Sequence, residues 1–103
     1  MAENEITLET AQSWAANWRK KQPDNVKAFF IPQEDIIELY SIINNTKDMG
    51  VRGYLGIKED GEYKLMLVAV DSDGSDMVDD GIYDMTKPCP SFCDIKSPLY
   101  TLK

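Results

Sequence analysis

Residues Tyr63 to Asp84 read YKLMLVAVDSDGSDMVDDGIYD, and the fold turns on how this stretch divides. Its first part is the most apolar run of the chain. Leu65, Leu67 and Ala69 share one parity; Met66, Val68 and Val70 share the other. Successive residues of a strand point to opposite faces. A strand apolar at both parities therefore requires cover on both faces. The second part carries Asp71, Asp73, Asp76, Asp79, Asp80 and Asp84 and no basic residue. Asp73-Gly74 is a turn signal. The stretch reads as a central strand running into an acidic loop, with a short edge strand around Ile82-Tyr83.

Upstream, Val51 to Lys58 (VRGYLGIK) reads as a strand with two glycines. The Asp60-Gly61 pair after it favours a tight hairpin turn. The return strand is then Tyr63 to Val70. Further back, Ile36, Leu39, Tyr40 and Ile43 recur at helical spacing over 33–44. Pro32 suits that helix's first turn, and Asn44-Asn45 its end. Val26 to Ile31 (VKAFFI) is rich in β-formers and stops at Pro32. A first helix is expected over 8–21. Thr7 is its N-cap, and Ala11, Trp14, Ala15 and Trp18 form one stripe expected to face the core. Arg19, Lys20 and Lys21 suit its last turn, and Arg19-Lys20-Lys21 could answer the acidic loop of a second copy.

The expected class is α+β, in the order α-β-α-β-β. A small, mainly antiparallel sheet of three or four strands carries both helices on one face. A chain of 103 residues makes one domain and one modest core. Residues 1–5 are expected to fray. Residues 86–103 hold Pro88, Pro90 and Pro98 and are expected to form an irregular, packed tail. Two helices cover one face of such a sheet. The other is left to the tail, to more chain or to a partner subunit.

Eighteen acids against eleven bases give a net charge of −7, which disfavours a nucleic-acid partner. Lys58 to Asp94 alone holds ten acids and three bases. The start, MAENEITLE, has no features of a secretory signal, and no apolar run approaches the ~20 residues of a membrane helix. The cytoplasm is the expected location, with no membrane partner. Histidine is absent, which excludes Ser-His and Cys-His catalytic pairs.

Two groups of residues are candidates for chemistry. LMLVAVDSDGSDM resembles the nucleophile motif of the haloacid dehalogenase-like phosphatases, with Asp71 and Asp73 at the carboxyl end of an apolar strand. That chemistry also requires a downstream lysine, a second acidic pair and a parallel sheet, and thirty residues after Asp73 do not supply them. Asp71, Asp73 and Asp76 are also candidate calcium ligands. The EF-hand order fails, because glycine is due at Asp76 and glutamate at Ile82. The plainer reading is a solvated loop whose charge resists edge-to-edge pairing. The second group is Cys89 and Cys93. Two thiolates cannot fill a zinc site alone; two copies pooling four could, or the pair could form a disulfide. Reduced, partly buried thiols are the expectation for a cytoplasmic chain.

The tail is the most distinctive text. Tyr83-Asp84-Met85-Thr86-Lys87-Pro88-Cys89-Pro90-Ser91-Phe92-Cys93-Asp94-Ile95-Lys96-Ser97-Pro98-Leu99 resembles the ending of a family of small uncharacterised bacterial proteins, Y-D-x-T-x-P-C-P-x-x-C-D-x-x-S-P-L. The resemblance implies a discrete family and no activity. The expected function is therefore non-catalytic protein–protein contact, as a homodimer, with no cofactor. The alternatives are an acidic immunity- or antitoxin-like inhibitor of a basic partner, and a metal-binding protein using the acidic loop or the cysteines.

Overall fold

The hairpin is the organising unit. In the computed structural model, which describes residues 2–44 and 46–103, strand β2 (Gly50–Ile57) pairs antiparallel with β3 (Tyr63–Val70) without interruption, from Gly50 opposite Val70 to Ile57 opposite Tyr63. The turn closes as the Asp-Gly signal predicts. Gly61 N donates to the carbonyl of Lys58 at 2.9 Å, and Lys58 N to that of Glu62 at 2.9 Å. Gly61 sits at φ +91°, where a Cβ is strained.

Helix α1 spans Leu8–Lys21, and Thr7 caps it by accepting from Thr10 N at 3.1 Å. Strand β1 is Ala28–Phe30, and helix α2 is Gln33–Ile43, with Pro32 one place ahead of its first turn. Asn44 ends α2 in the left-handed region, which asparagine tolerates. The stop expected at Asn44-Asn45 includes Asn45, and the frayed end expected for 1–5 includes Met1; both lie outside the described residues. After β3 come one turn of 3-10 helix (Val78–Asp80), strand β4 (Ile82–Tyr83), strand β5 (Lys87–Cys89) and helix α3 (Pro98–Thr101), which Ser97 caps.

The α+β class holds. The expected sheet resolves into two: β2-β3-β4 in that order, and a separate antiparallel β1-β5 pair. Placing both helices on one sheet face needs correction. α2 lies on β3, where Leu39, Leu67 and Ala69 form the core with Ile42, Ile43, Leu65, Met77 and Tyr83 around them. α1 packs chiefly on α3. Gln12 Nε2 donates to the carbonyl of Pro98 at 3.2 Å, and the Arg19 guanidinium donates to those of Leu99 (2.8 Å) and Tyr100. A four-residue helix is too small to cover the α1 stripe. Trp14 and Trp18 consequently stay exposed, against the core role expected of them, although Trp18 Nε1 donates to the carbonyl of Val26 at 2.7 Å. Arg19, turned to the tail, is not free to answer another copy's acidic loop.

Cover on both faces of β3 is present. The Leu65-Leu67-Ala69 face meets α2. On the other face Val68 and Val70 are 2% and 8% exposed. There Arg52 lies opposite Val68 on β2, and Asp76 lies opposite Val70 across an isolated bridge on the far side. The Asp76 carboxylate accepts from both the Arg52 guanidinium and the Tyr54 hydroxyl. This clasp crosses above β3 and roofs the two valines.

The tail is pinned to the same strand. Thr86, fully buried, donates its hydroxyl to the carbonyl of Leu65 at 2.6 Å. Lys64 Nζ donates to the carbonyls of Asp84 (2.7 Å) and Thr86 (2.9 Å). Replacing Thr86 by valine keeps the volume and strands the Leu65 carbonyl. Thr86→Val is expected to cost about 1–3 kcal/mol in urea unfolding.

Candidate functional site

The acidic loop separates into groups with different work. Asp71 folds the turn: one carboxylate oxygen accepts from Asp73 N at 2.9 Å and Ser75 N at 3.0 Å. Gly74 N closes the turn on the carbonyl of Asp71 at 3.0 Å, with Gly74 at φ +84°. Asp73 is exposed. Asp76 points to the sheet, into the clasp with Arg52 and Tyr54. Among the described residues no three His, Cys, Asp or Glu side chains come together in a group that could hold a metal ion. Asp71, Asp73 and Asp76 are thus not brought together as one three-carboxylate group.

Cys89 and Cys93 form a disulfide with their Cα atoms 4.9 Å apart. This corrects the expected reduced thiols and removes the thiolates a zinc site requires. The bond ties β5 to the loop that carries Phe92, whose ring meets Phe30 edge-on at 5.1 Å. Two grooves lie beside it. One, of about 560 Å³, is lined by Phe29, Phe30, Phe92, Leu99 and Tyr100 with Lys27 and Arg19. The other, of about 450 Å³, collects Lys58, Lys64, Lys87, Asp84 and Ser91.

Asp35 is a site residue that sequence reasoning passed over as a helix-start acid. It is 2% exposed, and one of its carboxylate oxygens accepts from Met85 N at 3.1 Å. The only signal was its place one turn before Leu39. Burial pushes its carboxyl up; the Met85 N–H opposes this, Asp84 and Glu34 add to it, and Lys64 opposes it.

The remaining candidate is the free edge of β2. The Lys58–Glu62 bond sets the alternation of the β2–β3 ladder. Gly50, Arg52, Tyr54 and Gly56 then bond to β3, while the N–H and C=O of Val51, Gly53, Leu55 and Ile57 turn outward. The other side of β3 agrees, since Leu65 and Ala69 bond away from β2, to Thr86 and Met77. The outward-bonding residues also carry the exposed side chains: Val51 is 45%, Leu55 71% and Ile57 67% exposed. The acid-free stretch from Val51 to Ile57 holds no proline and no bulge, the usual protections of an edge.

No protein-family model, curated protein or solved structure matches this chain. Among the described residues no helix is long and apolar enough to cross a membrane.

Two measurements follow from the buried groups. The folded state holds the Asp35 proton more tightly than the unfolded chain, whose aspartate titrates near ~3.9. The stability from that proton is full below ~3.9 and is lost as pH rises through the higher folded value. Asp35→Asn keeps an acceptor for Met85 N without the charge. Wild-type stability is therefore expected to fall relative to Asp35→Asn between pH 3.5 and 7 in urea titrations; a constant difference would refute the assignment. The cystine closes a short loop, so reduction is expected to cost about 2 kcal/mol. A thiol count on the unfolded, unreduced protein should read zero.

Proposed function

We propose that this protein works by protein–protein contact as a homodimer, without catalysis. One observation carries the reading: an eight-residue strand at the edge of a three-stranded sheet, open along its whole length and apolar on its exposed face. Exposed edges of this length template pairing with another chain, and natural proteins normally block them. The polar residues fit the same picture. Asp71, Asp76, Lys64 and Thr86 are each engaged in shaping a turn, the clasp or the tail. The cystine supports an oxidising compartment over the cytoplasm expected from the sequence.

Sedimentation equilibrium at micromolar concentration is expected to give twice the mass of the chain. A single-chain mass throughout the accessible range would end the dimer reading.

A further inference from the structure

We infer that the partner on the β2 edge is a second β2, paired antiparallel about a two-fold axis that passes beside Tyr54. This deepens the homodimer reading and rests on it. Outward-bonding residues must meet outward-bonding residues, so Val51, Gly53, Leu55 and Ile57 of one copy face the same set of the other. The register that overlaps the whole strand sets Val51 opposite the partner's Ile57 and Gly53 opposite the partner's Leu55. Tyr54 then faces its own copy. In that register every N–H and C=O that β2 turns outward finds a partner.

Side chains suit this register. Within the chain, the space a Cβ would take at Gly53 is already approached by Leu65 and Leu67 from β3. A second Leu55, the most exposed large apolar residue among those described, would cover the same glycine from the other side. Arg52 would face the partner's Gly56, so like charges do not meet. Its own charge is already answered by Asp76.

Three observations favour a second copy over another occupant. The chain carries a net charge of −7, yet Gly50–Ile57 contains no carboxylate, so within the paired strands no acid faces acid. The opposite edge, β4, is two residues long, so pairing through β2 closes at two copies and does not propagate. The strand also offers apolar area: Val51, Tyr54, Leu55 and Ile57 together expose on the order of 400 Å², at ~150–200 Å² for a whole large side chain, and the paired backbones add to it.

The test joins two variants. Tyr54→Cys places its thiols in a non-hydrogen-bonded pair across the axis, with Cα atoms ~4.5 Å apart, inside the range a disulfide spans. The native cysteines are already paired, so mild oxidation is expected to give a covalent dimer on non-reducing gels. Leu55→Lys changes an exposed side chain and leaves the monomer folded. It is expected to weaken dimerisation about ten- to a hundredfold while circular dichroism and unfolding temperature of the monomer hold. A wild-type dimer with no Tyr54→Cys cross-link and no response to Leu55→Lys would overturn the β2 interface and leave the homodimer reading standing. A wild-type monomer would overturn both and give the edge to a different chain.

Discussion

β3 is buried by two unlike chemistries, and the rest of the structure follows from that division. On one face, Leu65, Leu67 and Ala69 meet α2 in an ordinary apolar contact. On the other, two valines lie beneath an ion pair and a phenol hydroxyl. The clasp is economical for a chain of this size. A carboxylate reaching across one strand needs only a turn that aims it, and Asp71 and Gly74 build that turn. The acidic loop is thereby part of the fold.

β2 is left at the edge of this sheet. β3 has β2 on one side and β4, Met77 and Thr86 on the other. Among the described residues no further strand joins beyond β2. β1, upstream of it, pairs instead with β5, held by the tail and its cystine. The polar groups along the outer side of β2 are solvated in the single chain. Its Val51, Leu55 and Ile57 side chains stay exposed there.

Much of this was legible in order and type. The hairpin, both long helices, the Thr7 cap and the short strand at Ile82-Tyr83 follow from period and turn chemistry, which act within a few residues. The candidate sites were less legible because their meaning depends on distant partners. Asp76 belongs to Arg52, twenty-four residues away, and its neighbours Asp71 and Asp73 do different work. Asp35 looked like a helix-start acid; the tail arriving at Met85 is what buries it. Trp14 and Trp18 sit at core spacing, yet spacing does not supply the surface they would need to pack on.

What the sequence by itself determined is therefore local: which segments are helix or strand, where they stop, and that β3 must be covered twice. Hydrophobic period and backbone preference set these, and neither depends on the rest of the chain. Only the tertiary structure decided what does the covering, which helix sits on the sheet, that the cysteines meet, and that β2 is left at an edge. Apart from the local cystine, each of these is a competition among distant segments for the same few faces and edges of the sheet. Its outcome rests on reach and packing, which one-dimensional spacing does not encode.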